Sequence, residues 1–88
     1  MNYKIVFTPN AKKQIKKLPK KDAKRILDFL KKQEIKENPR VKGKPLKGNL
    51  NEFWRYRVGN YRVIVKIEDN QLVVLVVRIG HRKNIYQD

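Results

Sequence analysis

The sequence predicts one α+β domain of order βααβββ, a small antiparallel sheet with a helical hairpin packed on one of its faces. Three features carry that prediction. Residues 53–80 contain three runs rich in Val, Ile, Tyr and Phe, separated by Gly59-Asn60 and Asp69-Asn70, residues that accept the positive φ of two-residue hairpin turns. Residues 8–38 instead repeat apolar side chains at helical spacing. The chain has 88 residues, enough for a single domain, 1–88, and too few for two.

Taken in order, residues 3–7 form a short β-type run with Tyr3, Ile5 and Phe7 on one face. Thr8 is placed to cap a helix, with Pro9 at its first position. Ala11, Ile15 and Leu18 make the apolar stripe, and Lys12, Lys13, Lys16 and Lys17 lie on the opposite side. Pro19 ends that helix and opens a second, striped by Ala23, Ile26, Leu27 and Leu30, which Asn38-Pro39 stops. A helical hairpin returns the chain to where it left, so the first strand is expected antiparallel to the strand that begins at Phe53. Between them, NPRVKGKPLKGN at 38–49 is a basic loop of about twelve residues, a length that is often functional.

The turns set a register. A two-residue turn at 59–60 puts Val58 opposite Tyr61 and Arg57 opposite Arg62. With side chains alternating, Phe53, Arg55 and Arg57 share a face with Arg62, Ile64 and Lys66, and a two-residue turn at 69–70 brings Val73, Leu75 and Val77 to it. Trp54, Tyr56, Val58, Val63, Val65, Ile67, Val74 and Val76 point the other way, under the helices. On the first face Phe53, Ile64, Val73, Leu75 and Val77 make an apolar patch that no spare element covers, so it is expected to be an exposed binding site. Like charges directly opposite each other destabilise a sheet by tenths of a kcal/mol, so Arg57 across from Arg62 points to an absent polyanion.

Composition agrees. Lys and Arg number 23 against 8 Asp and Glu, a net charge of +15, which attracts nucleic acid or an acidic protein. The basic faces of the two helices fit either a solvated surface or a phosphate-facing one. There is no Cys, which excludes disulfides and thiolate metal sites and fits a reducing cytoplasm. The first ten residues lack a signal-peptide layout. The longest apolar run, 72–77, falls far short of the ~18 residues a membrane helix needs. A cytoplasmic protein without membrane contact is expected.

The reactive side chains are few. One His and no Cys make no usual zinc site, and the carboxylates fall at strand ends, on helices or at the C-terminus, so neither metal nor cofactor is expected. A Ser or Cys nucleophile is excluded because the chain has neither. Arg, Lys, Tyr and one His suit a reaction on RNA in which the ribose 2′-OH attacks its own neighbouring phosphate. The protein then supplies a base for the hydroxyl, cations for the phosphorane and an acid for the leaving 5′-oxygen. Arg55, Arg57 and Arg62 share one face, and His81, Arg82 and Tyr86 follow the last strand and are expected to fold over it.

These residues carry a resemblance. PLKGNLNEFWRYRVGNYRVIVKI and the closing RIGHRKNIY, in that order and spacing, resemble the RelE/ParE superfamily of type II toxins, specifically RelE-type mRNA interferases, over nearly the whole chain. The resemblance implies the RelE-like fold, cleavage of messenger RNA in the ribosomal A site, and neutralisation by a cognate antitoxin that wraps the toxin. It implies Arg62 as the phosphate stabiliser, Arg82 as acid or charge stabiliser and Tyr86 as base. Arg55 and Arg57 stand as RNA-binding residues where relatives often carry Lys, and Lys44 and Lys47 in the basic loop add phosphate contacts. His81, beside Arg82, is a second candidate acid, since imidazole titrates near neutrality, or else a phosphate contact. The loop reads VKGKPLKG, so the Glu that YoeB-type relatives use as base is missing. The antitoxin is expected to be acidic and to contact Ile64, Leu75 and Val77. Two alternatives remain: a ParE-like gyrase inhibitor that is no nuclease, and a non-catalytic RNA- or ribosome-binding domain.

Overall fold

The computed structural model describes residues 2–48 and 52–81. Strand β1 (Lys4–Phe7) is followed by helices α1 (Pro9–Lys16), α2 (Lys20–Leu30) and α3 (Gln33–Glu37), then by strands β2 (Lys44–Pro45), β3 (Phe53–Val58), β4 (Tyr61–Glu68) and β5 (Val73–His81). The strands form one sheet in the order β1-β5-β4-β3-β2, with the helices over one face. The α+β fold class is as expected.

The Thr8 hydroxyl accepts the Ala11 N–H at 3.1 Å and Pro9 occupies the first turn, so α1 starts where the sequence places it. A cap of this kind stabilises a helix by about 1 kcal/mol. The second helical stretch does not run unbroken to Asn38. It stops at Leu30 and resumes at Gln33. Leu30 and Ile35 are both fully buried, yet residues five apart on a continuous helix point about 140° away from each other. The break lets both reach the core.

That core joins Ala11, Ile26, Leu30 and Ile35 of the helices to Tyr56, Val58, Val63, Val65, Val74, Val76 and Ile79 of the sheet, flanked by Ile5, Phe7, Trp54 and Ile67. All eight residues expected beneath the helices lie there. Each buried aliphatic side chain contributes about 1.5–3 kcal/mol by leaving water, and this layer is what holds the opposite face in place.

Three expectations are corrected. First, β1 does not lie antiparallel to β3. It pairs in parallel with β5, Lys4 with Val73 through Phe7 with Val76. Helix α1 packs on β5 and β1 while α2 packs on β3, so the helices carry the chain across the sheet to its far edge. The most apolar strand, β5, is thereby paired on both sides.

Second, the β4–β5 connection is longer than two residues. Asp69–Gln71 form a 3-10 turn closed by Leu72 at φ 53°, and Glu68 faces Val73. Asp69 is held here by other partners: its carboxylate accepts two hydrogen bonds from the Arg40 guanidinium, at 2.8 and 3.1 Å, and one from the Tyr3 hydroxyl at 2.7 Å. The turn shifts the register by two residues, which leaves the faces unchanged.

Third, β5 carries a bulge. Val65 faces Val76 but Ile64 faces Arg78, leaving Val77 as the extra residue. Beyond it the faces exchange: Ile79 turns into the core at 3 % exposure, and Arg78 turns to the opposite face. Without the bulge a guanidinium would enter the core and an isoleucine would leave it, at a cost of several kcal/mol for the charge alone.

Residues 38–48 of the basic loop are held at several points. Arg40 ties it to Asp69 and stacks 5.5 Å from the Trp54 ring, the Tyr56 hydroxyl donates to the Pro39 carbonyl, and Lys44–Pro45 add the edge strand β2 against β3.

Candidate nucleic-acid interface

The face away from the helices is organised in rows set by strand register. One row reads Lys44, Arg55, Ile64, Arg78 across β2, β3, β4 and β5. The next reads Arg57, Arg62, Gly80. The expected pairing of Arg57 with Arg62 is present, and Gly80 sets no side chain beside Arg62 on the β5 side. On the other flank the rows are Phe53, Lys66, Leu75, Val6 and then Glu68, Val73, Lys4.

Charge is segregated along this face. Lys66 lies 3.7 Å from Glu52 and 3.4 Å from Glu68, so that end is neutralised. The remaining described carboxylates are engaged away from the face: Asp22 with Tyr61, Asp28 with Lys24, Glu34 with Lys42, Glu37 with Gln33, and Asp69 with Arg40 and Tyr3. Arg55 and Arg62 are 8 % and 5 % exposed, whereas Arg57 and Lys44 are open to solvent. Cations held in partly dry surroundings act on a phosphate more strongly than they would in bulk water.

The apolar patch is not exposed as expected. Ile64 is buried, and Phe53, Val73, Leu75 and Val77 are half-buried. Ile64 is flanked in its row by two arginines, whose aliphatic stems shield apolar neighbours, and it floors a recess of about 170 Å³ shared with Phe53, Val77 and Arg78. Leu75 and Val77 stay on this face, as expected.

Beside β3 a cleft of about 360 Å³ is lined by Phe29, Val41, Lys42, Gly43, Lys44, Arg55 and Arg57. The loop reaches β3 this closely because residue 43 is glycine: a Cβ there would lie 3.0 Å from the Tyr56 ring and 3.1 Å from the Arg55 carbonyl oxygen. Lys47 is exposed in the loop beyond β2, after the buried Leu46, whose N–H donates to the Phe53 carbonyl at 3.0 Å.

His81 does not fold over the arginines. It is the last residue of β5, faces Tyr61 in the row of Val58, and sits edge-on to the Tyr61 ring at 5.8 Å, on the helix side of the sheet. The Tyr61 hydroxyl donates to Asp22 at 2.8 Å, and that hydrogen bond, more than burial, raises its pKa. The bulge is what sends His81 to this side, because it exchanges the faces of everything after Val77. Arg82 and Tyr86 lie outside the described residues.

Arg78 is the functional candidate that reading the sequence missed. The signal was present: with unbroken alternation from Val74, Arg78 would join Val74 and Val76 in the core while Ile79 faced out. A charge in phase with the core and an isoleucine out of phase mark an inserted residue between them.

The ParE toxin family of type II toxin–antitoxin systems, parDE, matches residues 5–86. The chain is similar to toxin RelG of Mycobacterium tuberculosis, 33% identical over 87 residues, with 99% of each chain covered. Among solved structures, it resembles a chain of the toxin–antitoxin complex RelBE2 from Mycobacterium tuberculosis, with a TM-score of 0.85 and 29% identity over 93% of this chain and 100% of that one. It also resembles a chain of the archaeal RelE–RelB complex from Pyrococcus horikoshii, with a TM-score of 0.69 and 26% identity over 97% of this chain and 100% of that one.

Proposed function

The chain belongs to the ParE toxin family of type II toxin–antitoxin systems, and from its similarity to RelG and RelE toxins we propose that it is a ribosome-dependent endoribonuclease, cutting messenger RNA in the ribosomal A site. The observation that supports this most is the cationic pair of rows, Lys44–Arg55 and Arg57–Arg62, side by side on one sheet face.

The chemistry uses the substrate's own nucleophile and no metal. The 2′-oxygen forms a bond to the adjacent phosphorus, the bond from phosphorus to the 5′-oxygen breaks, the 2′ proton passes to a base and the departing 5′-oxygen takes a proton from an acid. Arg62 stabilises the charge that gathers on the phosphorane oxygens, and donors placed for a developing charge are worth about 10²–10³-fold in rate. Arg55, Arg57, Lys44 and Lys47 bind flanking phosphates. Tyr86 is the base. A phenol titrates near ~10 unless cations favour its anion, and a chain with 23 Lys and Arg offers them. His81 lies on the helix side, so the acid or charge-stabilising role passes to Arg82.

The partner is a cognate antitoxin. The two solved relatives are toxin–antitoxin complexes, one of them with RelB, and the net charge of +15 calls for an acidic chain. It docks over Leu75 and Val77, with Ile64 in the recess lined by Phe53, Val77 and Arg78. No described helix is long and apolar enough to cross a membrane, and ribosome and message place the activity in the cytoplasm.

A translation extract tests the reading. Wild-type protein is expected to stop synthesis and leave messages cut within codons, while Arg62→Ala and Tyr86→Phe leave messages intact. Intact messages with wild-type protein, together with loss of gyrase supercoiling activity, would replace this reading by the gyrase inhibition of a ParE-like toxin.

A further inference from the structure

We infer that Arg78 is a further substrate-binding residue, holding the phosphate next to the scissile one so that the message crosses the strands from β3 toward β5. The inference rests on the nuclease reading and extends it to a residue outside the set expected from the sequence. Register places Arg78 at one end of the row whose other members are Ile64, Arg55 and Lys44. Neighbouring strands lie about 4.8 Å apart, so the Arg55 and Arg78 backbones are separated by roughly 9.6 Å, with Arg62 in the adjacent row between them. Cations therefore stand on both sides of the position assigned to the scissile phosphate.

The bulge at Val77 is what delivers Arg78 to this face. A bulge weakens a ladder locally and is commonly found where it re-aims a side chain next to a functional site. Arg78 is half-buried at the rim of the recess lined by Phe53, Ile64 and Val77. The planar fork of a guanidinium suits two oxygens of one phosphate, and an apolar rim keeps that contact less screened than one in open solvent. A purely structural reading is that the Arg78 stem only covers Ile64. The two readings differ in whether a phosphate's charge is felt.

The test uses the full chain, ribosomes programmed with a synthetic message, and single-turnover cleavage by wild type, Arg78→Gln and Arg78→Lys. Messages carry a neutral methylphosphonate in place of the phosphate on one or the other side of the scissile one. Arg78→Gln is expected to slow cutting of the unmodified message about 10-fold, chiefly through weaker binding. One of the two neutral messages should slow wild type and Arg78→Lys by a similar factor and Arg78→Gln by less than about 2-fold, because the contact is already lost. Multiplicative losses in Arg78→Gln, wild-type rates for Arg78→Gln, or no effect of either neutral message on wild type would each overturn the inference while leaving the nuclease reading standing. Failure of wild type to cut the unmodified message removes the nuclease reading and the inference with it.

Discussion

Arg62 sits 5 % exposed on the third strand of the chain's basic face, directly across from a second arginine. Evolution of a sheet for stability alone would avoid that pair, whose repulsion costs tenths of a kcal/mol. Arg62→Ala is expected to lower cleavage at least ~100-fold, as loss of a transition-state charge donor does, with little change in melting temperature, because the core lies on the other face. Cleavage of ribosome-bound message at the wild-type rate would remove Arg62 from the chemistry. Tyr86→Phe keeps the ring and loses the ionisable hydroxyl; it should slow cleavage far more than it weakens ribosome binding, measured by co-sedimentation. His81→Gln is expected to cost less than ~3-fold and to leave the pH–rate profile unmoved, since general acids contribute 10²–10⁴-fold and His81 faces Tyr61 rather than Arg62. A large loss with a displaced profile would return the acid role to it.

At the scale of elements, what could be read from the sequence was what short-range chemistry decides. Gly59 takes φ +59°, so the β3–β4 turn, the Arg57–Arg62 pairing and the whole helix-side face followed from local residues. The partner of β1 did not, because it depends on how the helices cross the sheet, 66 residues away from the nearest local cue at Asp69, where Tyr3 docks. The bulge was readable in principle from the phase of Arg78 and Ile79, and missing it left Arg78 unplaced and misplaced His81. Deleting Val77 should restore alternation, drive Arg78 inward and Ile79 outward, and leave the chain unfolded by circular dichroism, since an unpaired buried charge costs several kcal/mol. A folded deletion variant would show that the bulge does not set these faces. The Arg40–Asp69 link is the other long-range device. The hydrogen bonds from Arg40, then that from Tyr3, hold the Asp69 pKa below its ordinary value. A lowered carboxylate pKa contributes stability above the unfolded value of about 3.9 and loses it as pH falls through the folded value. Wild type should therefore lose more melting temperature than Asp69→Asn as pH drops below about 4. Equal losses would mean that the link does not anchor the loop to the β4–β5 turn.

At the scale of the whole molecule, a net charge of +15 on 88 residues is expected to make association with ribosomes electrostatic and steeply salt-dependent, and phosphate contacts carry no base sequence. Position along the message is then expected to be chosen by the ribosome, and efficient cutting of free RNA at physiological salt would contradict this. The same charge, beside Leu75 and Val77, suits an acidic antitoxin; Leu75→Lys should weaken its binding much more than it weakens folding, by titration calorimetry against thermal melting. An unchanged affinity would move the antitoxin contact off this face. The central claim is that the 2′-hydroxyl of the message is the nucleophile and this sheet face its catalyst. The most direct measurement is cleavage of ribosome-bound message bearing a single 2′-deoxy sugar on the 5′ side of the cut, with the product ends identified by mass spectrometry. The account predicts no cutting at the deoxy position and, on the unmodified message, 5′-hydroxyl ends opposite 2′,3′-cyclic or 3′-phosphate ends; cutting at the deoxy sugar, or 5′-phosphate ends opposite 3′-hydroxyls, would contradict it.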